Sequence, residues 1–346
     1  MNTDNLAKPR IVIYGPGLYG QHIVRFAHKK GWPIVAAFNR AGDKVGQDVG
    51  RLAGLDEDIG VIVQDCDTAD FSTLQADVAF LVISDRLEEC RSAHERLLNA
   101  GINVISHAAE GYFPFGVDKA LAEELDQLAK KNNVTYTGTG IWDMSRIWAG
   151  ILMAGTCVEI NSLLHRTLTD ASRASIRLMT ETCGVGMTQA EFQEKITDNP
   201  GMIGGMYNTI PQQVLTALGY TVTAITERRE PVICDEPVYC EPLKRDIEPG
   251  VSIGTRIVVS VTTAEGVPAE AHMELRLLKP GEVEHMFWSV DGMPSSSITT
   301  QRESSVLASA ACMFNRTRDV IAAPPGIQEV YKLGPLRHTA LEQWMK

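Results

Sequence analysis

Two stretches of this chain carry residue types at spacings that chemistry needs: Gly15-Pro16-Gly17-Leu18-Tyr19-Gly20, and His107-Ala108-Ala109-Glu110. The first is G-x-G-x-x-G. Gly15 permits a tight turn, Gly17 lets backbone amides approach a pyrophosphate, and Gly20 allows a following helix to pack closely. The start of that helix adds a partial positive charge. In the second stretch Glu110 is flanked by Ala108, Ala109, Gly111, Tyr112 and Phe113, an apolar setting of the kind that raises a carboxyl group toward a working range for proton transfer. His107 is a second acid/base candidate. The structural alternatives are a solvated or capping glutamate and a histidine bonded to a loop carbonyl.

The elements around these residues are legible from their periodicity. Ile11 to Tyr14 is a short apolar run, Leu18 to Lys30 has helical spacing, and Ile34 to Phe38 is apolar again. Further strand candidates are Val61 to Val63, Val78 to Ile83 and Asn103 to Ser106, with an amphipathic helix expected over Leu87 to Ala100. Buried strands separated by helices imply a parallel sheet with right-handed crossovers, which is a Rossmann domain. Its boundaries are expected near residues 1–140.

In such a sheet the ligand lies at the carboxyl ends of the strands. Ser84-Asp85-Arg86, His107 to Glu110, and Thr137 to Trp142 are therefore the segments of interest, with Ser84, Asp85, His107 and Ala108 expected beside the cofactor together with Leu18 and Tyr19 of the glycine turn. The second strand ends Phe38-Asn39-Arg40 with no acid at Asn39, and Asp43 lies a little beyond. An acid there would hold an NAD ribose, whereas an arginine accommodates the 2′-phosphate of NADP. NADP(H) is thus favoured, with NAD(H) still open and a solvated Arg40 as the alternative.

After Gly140 the pattern changes. Arg256 to Thr263, Ala271 to Leu278 and Val283 to Val290 alternate apolar with polar residues, as antiparallel strands do, and Val158 to Leu168 and Val222 to Thr226 are further candidates. Helices are expected over Gln189 to Thr197, capped by Thr188, and over Thr209 to Leu218. The expected fold class is α/β: an N-terminal Rossmann domain with a parallel sheet, then an α+β domain at 141–303 with a largely antiparallel sheet. A helical segment at 304–346 is expected to return to the first domain, with the active site in the cleft between the two domains.

Composition excludes several function classes. A net charge of −11 without long like-charge runs argues against a nucleic-acid partner. The first residues lack an apolar signal core and no apolar run is long enough to span a bilayer, so a cytoplasmic protein with no membrane partner is expected. The seven cysteines are scattered and never form C-x-x-C, which fits reduced thiols and no metal site.

Taken together, IVIYGPGLYG, NVISHAAE, YTGTGIWDMSR and DVIAAPPGI resemble the dihydrodipicolinate reductase-like oxidoreductases, in the branch of 2,4-diaminopentanoate dehydrogenase and the native amine dehydrogenases. The resemblance implies reversible NAD(P)H-dependent reductive amination of a small carbonyl compound with ammonia, a homodimer joined through the second domain's sheet, and Glu110 in the position of the catalytic glutamate. Ile141, Trp142, Met144 and Trp148 are expected to wall the substrate pocket, or else to form the core of the hinge region. The sequence lacks the His-His-x-x-Lys segment of the reductase itself, so dihydrodipicolinate is not the expected substrate. No basic clamp is evident beyond Arg166, Arg173 and Arg177, which favours simple amines over amino acids. The alternatives are an amino-acid dehydrogenase of the 2,4-diaminopentanoate type and a non-catalytic NADP(H)-sensing protein.

Overall fold

The apolar runs of the first third become strands buried on both faces. The structure, a computed structural model, describes residues 8–199 and 205–338, so the end of the expected C-terminal segment lies outside the described residues. The chain divides into two compact units: residues up to Met144 together with those from Ser304 onward, and Ser145–Glu303.

In the first unit the strands are β1 (Ile11–Tyr14), β2 (Ile34–Asn39), β3 (Val63–Asp65), β4 (Val78–Leu81), β5 (Asn103–Ser106) and β6 (Thr135–Gly138). With a two-residue strand at Gly326–Ile327 they form one sheet in the order Gly326–Ile327, β6, β5, β4, β1, β2, β3, and every pair is parallel. Side chains alternate across the sheet. Val12, Tyr14 and Leu81 join one apolar cluster with Leu97 and Leu125, from the helices Arg91–Asn99 and Lys119–Lys131. Ile11, Ile13 and Phe80 join the other, with Ile23 and Phe314, from the helices Leu18–Lys30 and Ser305–Asn315. Phe314 stacks on Trp32 with centroids 4.2 Å apart, which seats the C-terminal helix in this core. The Ala-Ala-Pro-Pro-Gly stretch leads into the extra strand: Thr135 Oγ1 donates to the Pro324 carbonyl at 3.0 Å, and Gly326 N donates to Val134 O at 2.9 Å.

Several elements differ from the sequence expectation: β4 stops at Leu81 rather than Ile83, and two further changes bear on the site. The third strand is Val63–Asp65 rather than Val61 to Val63, because Val61 and Ile62 are taken up by a turn built on Asp48. That carboxylate accepts from the amides of Gly50, Gly60 and Val61. The expected helix Leu87 to Ala100 starts at Arg91, after a tight turn at Glu88–Cys90. Leu87 N is already engaged by a carboxylate from elsewhere.

The second unit adds β7 (Glu159–Asp170), β8 (Val222–Ile233), β9 (Val238–Cys240), β10 (Arg245–Ile247), β11 (Ser252–Thr263), β12 (Ala269–Arg276), β13 (His285–Met293) and β14 (Ser296–Gln301). Six of them form a sheet in the order β14, β13, β7, β12, β11, β8, while β9 and β10 make a separate hairpin. All neighbours in the large sheet run antiparallel except β7 and β12, which are parallel. Helices at Gln189–Phe192, with Thr188 and Glu191 capping each other's backbone amides, and at Thr209–Ala217 complete the unit.

Candidate active site

Strand register brings the candidate residues to one edge of the first unit's sheet. Tyr14 stands opposite Leu81, Leu81 opposite Ser106 and Ser106 opposite Gly138, so β1, β4, β5 and β6 end at one level. The loops that follow begin at Gly15, Val82, His107 and Thr139. Hydrogen bonds tie them together, from Val82 N to Tyr14 O at 2.9 Å, His107 N to Leu81 O at 3.0 Å and Thr139 N to Ser106 O at 2.9 Å.

The three glycines of the turn are there for different reasons. Gly15 has φ +94°, and a Cβ on it would lie 2.7 Å from the Val82 carbonyl oxygen. A Cβ on Gly20 would lie 2.5 Å from Gly15 O, so the helix sits directly on the turn. Gly17 is neither strained nor crowded. Around a Cβ there, the one atom within 4 Å is Nζ of Lys44, at 3.9 Å. Nothing in the packing of the described residues requires glycine at 17, and the space there is open to an outside group. No acid occupies the first turn of the helix, while His28, Lys29 and Lys30 occupy its last, which leaves the N-terminal amides suited to an anion. The turn therefore fits a dinucleotide pyrophosphate. Leu18 is exposed and Tyr19 lies against His107 with ring centroids 3.9 Å apart, linking the glycine turn to the loop after β5.

Glu110 opens a tight turn, Glu110–Tyr112, and is 7% exposed. Its surroundings correct the expectation of a purely apolar setting. Oε1 accepts from the Arg86 guanidinium at 2.5 Å and Oε2 accepts from Leu87 N at 2.8 Å. The Glu110 amide in turn donates to Asp85 O at 3.1 Å, so the loops after β4 and β5 are stitched together at this carboxylate. Ala108, fully buried, donates its amide to Ser106 Oγ. Ser84 Oγ is bonded to Glu89 rather than left facing outward. His107 places Nδ1 3.9 Å from the Asp85 carboxylate. Burial pushes its imidazole below the ordinary value, with Asp85 opposing, and burial pushes the Tyr19 phenol up.

The loop after β6 holds the expected pocket residues of this unit. Ile141 N donates to Ser309 Oγ at 3.2 Å, Trp142 lies 5.3 Å from the Tyr112 ring, and Met144 is 36% exposed. Asp143 between them is wholly buried and paired in two-pronged fashion with the equally buried Arg316, at 2.6 and 2.8 Å. Thr139 Oγ1 donates to the same carboxylate at 2.8 Å. Burial raises Asp143, and Arg316 opposes that shift. Removing one partner of such a pair leaves a buried charge, at a cost of about 3–5 kcal/mol. Asp143 carries no role in the expectation from sequence; an acid three residues after the Gly138-Thr139-Gly140 junction was the available signal. That expectation also passed over Arg86 as a partner of Glu110, and over Lys44. Trp148 falls in the second unit, where it is buried. Arg166, Arg173 and Arg177 form no common clamp: Arg166 is exposed on β7, Arg173 bonds Glu284 and the Glu303 carbonyl, and Arg177 pairs with Glu181.

At the end of β2, Asn39 Nδ2 donates to Arg40 O at 2.8 Å and the Arg40 side chain is exposed. Among the described residues no helix is long and apolar enough to cross a membrane.

The parallel sheet and glycine turn are the frame of a dinucleotide-binding domain, and the relatives of the chain are oxidoreductases. The profile of the 2,4-diaminopentanoate dehydrogenase C-terminal domain matches residues 149–345. A 2,4-diaminopentanoate dehydrogenase of Acetoanaerobium sticklandii is 29% identical over 239 residues, which is 66% of this chain and 66% of that enzyme. An amine dehydrogenase from Mycobacterium smegmatis has a solved structure that matches with a TM-score of 0.82 and 30% identity, over 97% of this chain and 98% of that one. GenD2 from gentamicin A biosynthesis, solved in complex with NAD, is 12% identical with a TM-score of 0.59 over 98% of this chain and 93% of its own, and shares the fold alone. The chain belongs to the 2,4-diaminopentanoate dehydrogenase family, a family of oxidoreductases acting on amine groups.

Proposed function

We propose that the protein is an NAD(P)-dependent amine dehydrogenase that interconverts a small aliphatic or cyclic ketone or aldehyde, ammonia and reduced cofactor with the amine, water and oxidised cofactor. The observation that carries this reading is the buried Glu110 carboxylate, at the sheet edge that also bears the glycine turn. When bound, the reduced nicotinamide supplies the hydride. The chain's own residues handle protons and charge. Glu110 accepts a proton from ammonium so that neutral ammonia attacks the carbonyl carbon. It returns a proton as water leaves the carbinolamine, and as a carboxylate it stabilises the iminium cation so formed. Arg86 and Leu87 N fix both oxygens of that carboxylate, which keeps the group in one position through these changes. His107 and Tyr19 join the glycine turn to this loop, and Ser84 and Asp85 lie beside the cofactor, whereas Ala108, expected there too, is fully buried and holds the loop through its amide's bond to Ser106 Oγ. In this reading Ile141, Trp142 and Met144, on the loop after β6, supply apolar surface that excludes water.

The dinucleotide is NADP(H) by preference, on the strength of the missing acid at Asn39. The working form is a homodimer through the outer face of the second sheet, where half-buried Leu164 and Phe287 flank the exposed Arg166. Its free thiols suit the reducing cytoplasm.

The test is NADPH absorbance in ammonium buffer near pH 9 with cyclohexanone, a short ketone and a short aldehyde, each repeated without ammonium. Oxidation that requires ammonium supports the reading, and oxidation without it makes the protein a carbonyl reductase. A second reading, dehydrogenation of a diamino acid, is favoured by the name of the Acetoanaerobium relative. Turnover of 2,4-diaminopentanoate, with none of its decarboxylated amine, would establish that one instead.

A further inference from the structure

We propose that Lys44, together with Arg40, forms the receptor for the adenosine 2′-phosphate, and that Lys44 is the residue that sets the preference between the two dinucleotides. The inference rests on the dinucleotide reading of the glycine turn and deepens it.

Lys44 lies on the loop that follows β2, four residues beyond Arg40. The backbone of this loop is held on both sides of the lysine. Val45 N donates to Gly42 O at 3.0 Å, Gly46 N to Val63 O at 2.9 Å, and Val63 N to Gln47 O at 2.9 Å. The side chain is half-buried and its ammonium comes back to the glycine turn, 3.9 Å from where a Cβ on Gly17 would be. It makes no ion pair with any described residue, and neither does the Arg40 guanidinium. Three arginines of the unit do have carboxylate partners: Arg10 in Asp77, Arg51 in Asp58 and Arg96 in Asp67. Two cations on one loop, neither in an ion pair with a described residue and one of them reaching the open side of the glycine turn, are the arrangement an additional anion would complete.

The acids nearby do not compete for that place. No carboxylate stands at Asn39, where an NAD ribose would need one. Asp65, paired in register with Asn39 at the end of β3, turns its carboxylate to its own loop and accepts from Asp67 N at 3.0 Å. Asp43 is exposed. The pyrophosphate, for its part, is served by the helix N-terminus, whose first turn carries no acid. A lysine is not required there. What a lysine and an arginine at the end of β2 add is two cations for a phosphate dianion, which NADP carries at the ribose and NAD lacks.

The experiment measures dissociation constants of NADP+ and NAD+ by quenching of tryptophan fluorescence, for the wild-type protein and for Lys44→Gln, at two salt concentrations. No turnover is needed. The expected result is a tenfold or greater weakening of NADP+ binding in Lys44→Gln, with NAD+ changed by less than about twofold and the salt dependence of NADP+ binding reduced. Adenosine 2′,5′-bisphosphate should likewise lose affinity while AMP does not. Equal weakening of both dinucleotides would overturn the proposal by placing Lys44 on the pyrophosphate, and unchanged binding of both would overturn it by making Lys44 a bystander. Wild-type protein that binds neither dinucleotide would remove the dinucleotide reading itself, which is a separate failure from that of Lys44.

Discussion

The glycine turn and the Glu110 loop lie two strands apart on the same sheet edge, yet they are built on opposite principles. In the turn the side chains are absent: Gly15 and Gly20 are demanded by the packing of the chain on itself, while at Gly17 the absence leaves open space. In the loop, function comes from one present side chain whose environment is assembled from elsewhere, with Arg86 and Leu87 N on its two oxygens. The turn is a backbone device that tolerates no added atoms at Gly15 or Gly20. The loop is an electrostatic device that depends on a proton.

The sharpest test of this contrast is Glu110→Gln. It keeps the shape of the loop but removes the proton acceptor, so the ammonium-dependent rate should fall by about 10²–10⁴-fold while the dissociation constant of the dinucleotide stays within a factor of two. A parallel loss of binding would mean that the carboxylate is structural. Steady-state rates and fluorescence titration on the same preparation measure both quantities.

Next in size is the pair Gly20→Val and Gly17→Ala. The valine meets Gly15 O and has to push the helix off the turn, at a cost of about 1–3 kcal/mol in urea unfolding and with loss of dinucleotide binding. The alanine enters open space, so stability should hold while dinucleotide affinity still falls several-fold. If Gly17→Ala binds the dinucleotide as the wild type does, the open space there has another use.

A third test, read as a pH dependence, concerns the floor of the Glu110 loop. His94 is fully buried against Tyr136, ring centroids 4.4 Å apart, and a Cβ on Gly111 would lie 2.7 Å from the Tyr136 hydroxyl oxygen. Burial lowers His94 from its ordinary 6.5 to about 4. The folded state therefore binds its proton less readily than the unfolded chain. The neutral histidine's contribution is fully present above about pH 6.5 and is lost as pH falls toward 4, at most about 3 kcal/mol. His94→Leu should flatten the acid side of the stability curve relative to wild type, as read by urea unfolding at pH 7 and pH 5. Hydrogen exchange at pH 5 should loosen residues 107–112 of the wild type before residues 15–20. An unchanged acid slope in His94→Leu would assign the acid sensitivity to other groups.

Much of the fold was legible because parallel strands buried on both faces read as apolar runs. β1, β5 and the helix Leu18–Lys30 fall where periodicity places them. β14 was not legible, since its sequence Ser-Ser-Ile-Thr-Thr-Gln has little apolar alternation and it is a strand only because β13 pairs with it. β3 shifted because a side chain, Asp48, took the hydrogen bonds a strand would have used. The same holds for the site. Gly15, Gly17, Gly20, Glu110 and His107 stood out by type and spacing. The partners of Glu110, the bond between Asp143 and Arg316 across 173 residues, and the approach of Lys44 to Gly17 did not.

By itself, then, the sequence determined where the backbone must turn tightly and where one acid would sit at a strand end, because these follow from local sterics and side-chain period. Only the tertiary structure decided what stands within hydrogen-bond reach of that acid and which cation leans over the turn. Such contacts join residues distant in sequence, and their strength depends on distance and burial that no local pattern encodes.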